Sequence, residues 1–251
     1  MKTAVYTSDK QLFYAKLDDA VSLCLQRQKP YFFSFLTEEE QALAEQYFRS
    51  VHFESFSFWG GYPASERKVL GLFFDDAEPD FPVSAVQFTF RKTDKLSHRD
   101  FLGSLMSLGI ERQTVGDILV GDGRAIVFVK SEIKDYICSQ ITKVGRVGVT
   151  ISDADINDLP QGRGEVEQAC TVSSMRLDSI VAAAAGLSRE KAKSLIVSGN
   201  VSINHLVCQK ISHTVREGDK LTIRGKGKYT ISGVFGETKK HRVKLSIIHY
   251  R

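Results

Sequence analysis

The sequence predicts an α+β protein built from three small domains, and three observations lead to this class. The chain has 251 residues, which is enough for two or three compact domains. Hydrophobic residues make up 42% of the chain and charged residues 25%, which is ordinary for a folded protein. Segments with the helical period of 3.6 residues alternate with short apolar runs that are typical of strands.

Residues 1–80 are predicted to form an N-terminal α+β domain. An amphipathic helix is expected over 11–28, because its apolar residues recur on one face. A second helix is expected over 38–49, because Thr37 and Glu40 have the spacing of a capping box. Two strands, in "VHFESFSFW" and "RKVLGLFF", are joined by the turn "GGYPASE". The acidic, proline-bearing stretch "DDAEPDFP" ends this domain.

Residues 81–152 are predicted to form a middle domain with the element order β-α-β-β-α-β. Strands are expected in "SAVQFTF", "GDILV", "RAIVFV" and "RVGVTI", with "GDG" as a hairpin turn. This is the order of a ferredoxin-like fold, which RNA-recognition motifs also use, so the domain is expected to be RRM-like. The strand that carries stacking aromatics in such motifs has only Phe128 here. The sheet therefore either binds RNA or keeps Phe88, Phe90 and Phe128 as packing residues.

Residues 153–170 are predicted to be a linker, because Gly, Pro and acidic residues occur there without a period. The C-terminal domain, 171–251, is expected to begin with two helices. One helix ends at Gly186, and Ser188 caps the next. Alternating apolar residues in the remaining sequence predict the strands of a small sheet.

Nearly all the excess positive charge lies in the last third of the chain. Residues 1–169 contain 19 Lys and Arg against 25 Asp and Glu, a net charge of −6, whereas residues 170–251 contain 15 against 5, a net charge of +10. This asymmetry favours a polyanion as the partner of the C-terminal domain. Arg189 and Lys193 lie at i and i+4 on one helix face, where like charges oppose each other unless a negatively charged partner is present.

The sequence contains no signal for a metal, a cofactor or a membrane. The four cysteines, Cys24, Cys138, Cys170 and Cys208, are far apart, and no CxxC pair or Cys/His ligand spacing exists. We therefore expect free thiols in a reducing, cytoplasmic environment. No phosphate-binding GxxxxGK[ST] motif is present, the N-terminus lacks the apolar core of a signal peptide, and no apolar run approaches the ~20 residues that cross a bilayer.

The C-terminal sequence resembles the S4-type RNA-binding domain. Its marks occur in order as "RLD", "SREKAK", "SGNVSIN" and "EGDKL", from Arg176 onward. The resemblance implies an αα turn packed on a short sheet, with RNA contacts from the second helix and the turn after it. On this sequence the implied RNA-binding residues are Arg176, Leu177, Ser188, Arg189, Lys191, Lys193, Ser194, Asn200, Asn204 and Lys210.

A secondary set of RNA or phosphate contacts is expected from two loops that contain glycine and basic residues. Glycine lets the backbone approach a phosphate closely, and a tyrosine ring can stack on a base. The alternative for the first of these loops is a hairpin turn with a solvated end. The candidate residues are Gly60, Gly61, Tyr62, Arg67, Lys68, Lys226 and Lys228.

Nearly the whole chain resembles the YlmH family of bacterial RNA-binding proteins. The likeness rests on "GGYPASERK", on "LSHRDFLGSLMSLGIERQTVGDILV" and on the S4-type domain at the end. It implies a cytoplasmic, ribosome-associated factor that binds rRNA and tRNA on large ribosomal subunits obstructed by a nascent chain, that is, in ribosome quality control. We expect a non-enzymatic protein that is a monomer when free. Charge and spacing by themselves indicate only a polyanion binder.

Two alternatives remain open. S4-type domains are often attached to pseudouridine synthases, methyltransferases or tyrosyl-tRNA synthetases, so the chain could be an RNA-modifying enzyme. However, the "RLD" motif lies in the predicted RNA-binding helix, which makes Asp178 a helix-turn residue, and "RGKGKYTISG" leads into a strand rather than a helix. In the other alternative the chain is a protein scaffold with an accessory RNA-binding tail, and Trp59 lies in the protein-binding surface. No catalytic residue is assigned.

Overall fold

The computed structural model describes residues 3–74, 80–160, 165–238 and 241–250, with the backbone alone for 3–8 and 165. The chain divides into two compact units, Met1–Gly162 and Arg163–Arg251. Both units mix helices and strands, which confirms the α+β class. In the part of the chain that the structure describes, no helix has both the length and the apolar composition that a membrane span needs. The same residues contain no cluster of three or more side chains suited to hold a metal ion.

The first half of the first unit contains two helices and one antiparallel sheet. Its elements are α1 (Thr3–Arg27), β1 (Tyr31–Leu36), α2 (Glu38–Val51), β2 (Phe56–Trp59) and β3 (Lys68–Leu72). The sheet order is β1-β3-β2. The predicted capping box starts α2, because Thr37 Oγ1 accepts from Glu40 N at 3.3 Å and the Glu40 carboxylate accepts from Thr37 N at 2.7 Å. The sequence analysis does not predict β1, whose run "YFFSFL" shows no alternation because both faces contact apolar clusters.

The second half of the first unit forms a larger antiparallel sheet with two helices. Its elements are β4 (Val83–Thr89), α3 (His98–Ser107), β5 (Val115–Val120), β6 (Arg124–Lys130), α4 (Lys134–Gln140), β7 (Lys143–Val144), β8 (Val147–Gly148) and β9 (Thr150–Asp153). The sheet order is β5-β6-β4-β9, and β7 and β8 form a separate hairpin. The expected order β-α-β-β-α-β is present, except that this hairpin precedes the last strand. The assignment to the ferredoxin-like, RRM-like fold stays a prediction.

The larger sheet is covered on both faces. One face packs against α3 and α4, with Phe88 among its buried residues. Alternate residues of a strand point to opposite faces, and Ile126 and Phe128 on the other face pack against Phe35 and Val69 of the first sheet. Both sheets therefore belong to one unit, rather than to the separate domains 1–80 and 81–152 that the sequence suggests.

This packing also decides between the two expectations for the aromatic residues. Phe88 and Phe128 are 0% exposed and Phe90 is 9% exposed. All three are packing residues. The central part of the sheet therefore presents no stacking surface to RNA.

Asp117 on β5 is a buried carboxylate that ties the loop between β2 and β3 to the larger sheet. It accepts hydrogen bonds from Tyr62 Oη at 2.8 Å, Glu66 N at 2.7 Å and Arg67 N at 3.0 Å. The Tyr62 ring stacks on Phe128, with ring centroids 4.8 Å apart. Burial, together with the Asp117 charge, raises the pKa of the Tyr62 phenol well above its ordinary value. The loop is thus fixed by internal contacts.

These contacts contradict most of the secondary phosphate site predicted for this loop. Arg67 Nε donates to Val115 O at 3.1 Å, and Arg67 Nη2 donates to Phe35 O at 3.0 Å. Gly61 has φ +99°, and a Cβ added to it would lie 2.2 Å from the Phe128 ring. Glycine is needed here for the approach of the backbone to that ring. The loop residues committed to internal packing or hydrogen bonds are Gly60, Gly61, Tyr62 and Arg67. Contact by Lys68, half-buried on β3, stays a prediction.

In its described residues, the second unit packs two helices on a six-stranded antiparallel sheet. Its elements are β10 (Glu165–Val172), α5 (Leu177–Ala185), α6 (Arg189–Val197), β11 (Val201–Ile203), β12 (Leu206–Val207), β13 (Lys220–Ile223), β14 (Gly227–Glu237) and β15 (Val243–Tyr250). The order is β10-β15-β14-β13-β11-β12. Gly186 ends α5 with φ +62°, and Ser188 Oγ caps α6 by accepting from Lys191 N at 3.3 Å, both as predicted.

The predicted linker 153–170 is wrong at its C-terminal end, because β10 begins at residue 165. Among the described residues this strand lies at the edge of the sheet and pairs with β15 alone. Its side chains at 166–169 are exposed, so this segment has the polar composition of a loop. Its backbone nevertheless forms the hydrogen bonds of a strand. Residues 161–164 of the predicted linker, and 75–79 of the acidic stretch, lie outside the described residues.

The second unit also buries one aspartate, Asp178, in the first turn of α5. Its carboxylate accepts from Arg176 Nε at 3.2 Å and from Arg189 Nη2 at 3.0 Å. Burial raises the pKa of Asp178, but the hydrogen bonds and charges of the two guanidinium groups outweigh it, so that pKa lies below its ordinary value. The neighbouring Leu177 is 0% exposed, so its side chain packs in the core, and its contact with RNA stays a prediction.

We expect Asp117→Asn to lower the free energy of unfolding by about 3 kcal/mol, because the new NH2 group faces backbone N–H donors that then lose an acceptor. Tyr62→Phe removes one hydrogen bond and keeps the ring stack, so a loss of about 1 kcal/mol is expected. Urea unfolding of the full chain, followed by the fluorescence of its single tryptophan, Trp59 in the first unit, measures both. An equal loss for the two variants would contradict the role of Asp117.

We expect Asp178→Asn to lower stability by about 2 kcal/mol at pH 7. Because the folded-state pKa of Asp178 is depressed, its ionised form contributes stability above the ordinary carboxyl pKa of about 3.9, and this contribution is lost as the pH falls through the folded pKa. The difference in the free energy of unfolding between variant and parent should therefore become smaller towards pH 2. Circular dichroism during urea unfolding measures this free energy. The control is Glu190→Gln, whose side chain is 83% exposed and whose loss should change little at either pH.

Candidate RNA-binding interface

The starts of the two helices of the second unit carry two arginines that Asp178 holds in place. The side chains of Arg176 and Arg189 are 47% and 49% exposed, whereas that of Asp178 is 1% exposed. Each guanidinium has five N–H donors, and one of them is used on Asp178. The remaining donors are available to a ligand. Two fixed guanidinium groups match the oxygens of a phosphate in geometry and charge.

Positive charge continues along α6. Ala192 and Ile196 bury one stripe of this helix in the core, which leaves its charged side chains towards water. Lys193, one turn after Arg189, forms an ion pair with Glu190 at 2.9 Å. An exposed ion pair of this kind contributes little to stability, so a phosphate can replace Glu190 as the partner of Lys193 at small cost.

Lys191 is exposed, and no carboxylate oxygen of the described residues lies within 4.0 Å of its ammonium group. We call Arg176, Arg189, Lys191 and Lys193 the cation row. The carboxylates bound to it, from Asp178 and Glu190, leave the row with a net charge of +2. Both of these acids belong to the second unit.

The turn after α6 is held by its own hydrogen bonds. Gly199 has φ +72°, Asn200 N donates to Leu195 O at 2.9 Å, and Asn200 Nδ2 donates to Ser198 Oγ at 2.7 Å. Asn200 is half-buried, and the side chain of Ser194 is exposed on the last turns of α6. The amide oxygen of Asn200 and the Ser194 hydroxyl remain suitable for RNA contact, which stays a prediction for both residues.

Asn204 has a structural role in the turn after β11, and its contact with RNA stays a prediction. Its φ is +47°, its Nδ2 donates to Asp219 Oδ1 at 2.8 Å, and its Oδ1 accepts from Lys220 N at 3.0 Å. Both polar atoms of the amide are therefore used to hold the turn after β11 against β13. An Asn in a left-handed turn is a common structural choice, and this explains the residue without RNA.

The remaining predicted contacts are dispersed over the second unit. Ser188 is the N-cap of α6, and its hydroxyl oxygen is used by Lys191 N. Lys210 is exposed between β12 and β13, and Lys226 is exposed in the turn before β14. Lys228 is half-buried on β14. Ser188 directly precedes Arg189 of the cation row, and the RNA-binding roles of all four residues stay predictions.

The positioning role of Asp178 is not predicted from the sequence. Asp178 is interpreted there as part of a helix turn, although "LDSIVAAAA" places one carboxylate in a largely apolar helix. A charge in such surroundings needs an ion partner. That argument alone predicts a partner for Asp178, but the identity of Arg189, 11 residues away, requires the fold.

Two family models match the chain. Residues 77–158 match the family described as "Putative RNA-binding domain in YlmH", and residues 175–221 match the S4 domain. The first match covers the larger sheet of the first unit. The second covers the cation row, β11, β12 and the start of β13.

The chain is 36% identical over 197 residues to "Ribosome-associated protein quality control protein P2" of Bacillus subtilis (strain 168), and the match covers 76% of each chain. A solved structure, "Cell division protein ylmH from Streptococcus pneumoniae", superposes with a TM-score of 0.49 at 21% identity, over 62% of this chain and 93% of that chain. The shared domains and the extent of the 36% match agree with the resemblance seen in the sequence. The chain belongs to the YlmH family of RNA-binding proteins and ends in an S4 domain.

Proposed function

We propose that the protein is a non-enzymatic, cytoplasmic factor that binds structured RNA, namely rRNA and tRNA, through the cation row of its S4 domain. Its place of action is the large ribosomal subunit obstructed by a nascent chain. The observation that carries the proposal is the pair of half-exposed guanidinium groups held by the buried carboxylate of Asp178. The protein is a monomer when free.

Electrostatics and preorganisation support RNA as the partner. Phosphate contacts provide most of the affinity of proteins for nucleic acids, and arginine forks that are already fixed lose little entropy on binding. The net charge of +10 over residues 170–251 adds a long-range attraction. The name of the Bacillus subtilis relative supports ribosome association and quality control as the setting.

The enzyme alternative lacks a supporting site among the described residues. Asp178, the acid of the "RLD" motif, is 0% exposed and bonded to two arginines, so it is unsuited to attack a nucleoside. The scaffold alternative has one supporting feature, since Trp59 at the end of β2 is 36% exposed. Mass analysis of nucleosides from rRNA and tRNA, incubated with the protein with and without a methyl donor, should show no new modification. A modified nucleoside would decide for the enzyme.

We expect Lys191→Glu/Lys193→Glu to weaken rRNA binding by about tenfold or more near 100 mM salt, because two phosphate contacts become repulsive. Arg189 is left unchanged, since its replacement would also leave Asp178 buried with one partner fewer. With about six phosphate contacts, the parent should lose roughly a thousandfold in affinity between 50 and 200 mM salt. Filter binding or fluorescence anisotropy over this salt range measures both effects.

The matched control is Lys16→Glu/Lys29→Glu, which changes the net charge equally at two exposed lysines of the first unit. Circular dichroism should show that both double variants keep the fold. If the variant in α6 binds rRNA as tightly as this control does, the assignment of the cation row is wrong.

The ribosomal part of the proposal is tested by sedimentation with purified subunits. We expect the protein to sediment with large subunits, more strongly when these carry peptidyl-tRNA, and the variant in α6 to remain at the top of the gradient. Equal binding to small and large subunits, or indifference to peptidyl-tRNA, would reject the role on obstructed large subunits while leaving RNA binding intact.

A further inference from the structure

The RNA-binding family domain of the first unit needs an interface other than the sheet. Residues 77–158 match that domain. In RNA-recognition motifs, bases stack on aromatics of the sheet face that helices leave open. Here that face is closed, because Phe128 is fully buried under the first sheet and already stacks on Tyr62. Any RNA contact of this domain must therefore lie elsewhere on its surface.

A groove of about 500 Å³ lies on the helix side of the same domain, between α3 and the hairpin of β7 and β8. One wall is formed by Arg99, Gly103 and Ser107, which follow one another at i, i+4 and i+8 along α3. The other wall includes Thr142 and Lys143. It is an open surface feature in which exposed polar groups lie beside the apolar Leu108 and Ile141, and this openness suits a polymer chain better than an enclosed small molecule.

The charges of the groove favour an anion. Arg99 and Lys143 are exposed in its walls, and Arg146 is exposed at the tip of the hairpin. The acid in the lining, Asp100, accepts from Ser97 N at 2.8 Å and Ser97 Oγ at 2.7 Å, which stabilises the first turn of α3. The lining thus carries two cations against one carboxylate that is already hydrogen-bonded, and Arg146 follows the lining residue Gly145 in the chain.

Backbone and hydroxyl groups complete the site. Ser104 Oγ accepts from Gly145 N at 3.2 Å, which joins α3 to the hairpin across the groove. A Cβ added to Gly103 or Gly145 would meet nothing within 4 Å, so the backbone is open to an approaching chain at both positions. The hydroxyls of Ser107 and Thr142 add donors for phosphate or ribose oxygens.

We propose that this groove binds the phosphodiester backbone of the RNA that the cation row also binds. The inference rests on the proposed function and extends it to a second contact, on the first unit. Sequence specificity is not expected from the groove, because cations and hydroxyls recognise phosphate and sugar rather than base edges. Its contribution should therefore be similar for different RNA sequences and should decrease with salt.

A large, uncharged side chain placed in the groove tests this proposal in the full-length protein. Gly103→Trp fills it without changing any charge, and we expect rRNA affinity to fall by about tenfold. Gly103→Ala is the matched control, because it adds a methyl group in open space, favours the helix, and should leave affinity unchanged. Thermal unfolding of both variants shows whether α3 remains folded. If Gly103→Trp is folded and binds as Gly103→Ala does, the groove is not an RNA contact.

Charge removal tests the same groove independently. For Arg99→Gln/Lys143→Gln/Arg146→Gln we expect the slope of log affinity against log salt to become shallower by about 2 to 3, at roughly 0.9 per lost phosphate contact. The control, Lys10→Gln/Lys16→Gln/Lys29→Gln, removes the same charge from two exposed positions of α1 and one just after it, and should keep the parental slope. Equal slopes for the two triple variants would overturn the inference.

The outcomes separate this inference from the proposed function. If the parent binds rRNA and the variant in α6 loses that binding while the groove variants do not, the S4 domain binds RNA and the groove does not. If the parent itself does not bind rRNA, the proposed function fails. Loss of binding in both sets of variants, with the two controls unchanged, supports two contacts on one RNA.

Discussion

A buried carboxylate must be matched by donors, and each unit of this protein is organised around one such group. A carboxylate out of water is costly unless hydrogen bonds or cations replace its hydration. Asp117 is satisfied by a phenol and two backbone amides, and Asp178 by two guanidinium groups. The two aspartates have different effects because their donors differ. Asp117 fixes a loop that helps to cover the larger sheet of the first unit. Asp178 holds two half-exposed guanidinium groups at the surface of the second unit.

In the first unit this constraint removes the interface that its topology suggests. Asp117 anchors the loop after β2, and the loop brings Tyr62 onto Phe128. The first sheet then covers the larger one, with Gly61 allowing the close approach of the backbone to the ring. The sheet becomes an internal layer, so charged groups on the helix side, between α3 and the β7 hairpin, become the surface that can meet a polyanion.

In the second unit the same constraint prepares a surface for binding. Arg176 and Arg189 come from different helices, and each would otherwise sample many rotamers. Their bonds to Asp178 fix both before a ligand arrives, while about half of each side chain stays in water. Preorganisation of this kind improves affinity by reducing the entropy lost on binding. In the proposed function, the salt-dependent attraction of the lysines on α6 adds to this effect.

Local signals in the sequence determined much of the fold. The capping box at Thr37 and Glu40, the N-cap at Ser188 and the stop at Gly186 depend on residues within a few positions, and all three are present in the structure. The charge asymmetry and the S4-type marks located the charged helix α6 for the same reason, since the residues are adjacent in the chain. Edge strand β10 was not predicted because it pairs with β15 through backbone hydrogen bonds, and these do not depend on the composition of its side chains.

Tertiary structure decided which of the predicted side chains are free to bind. Tyr62, Arg67 and Asn204 have the chemistry of RNA contacts, but their polar atoms are used by groups that lie 15 to 55 residues away in the chain. Conversely, Asp178 looked like a local helix residue and proved to hold Arg189. The sequence by itself determined the elements, the charged helix and the family resemblance. The burial of the larger sheet and the partners of the two aspartates depend on long-range packing, which no short stretch of the chain encodes.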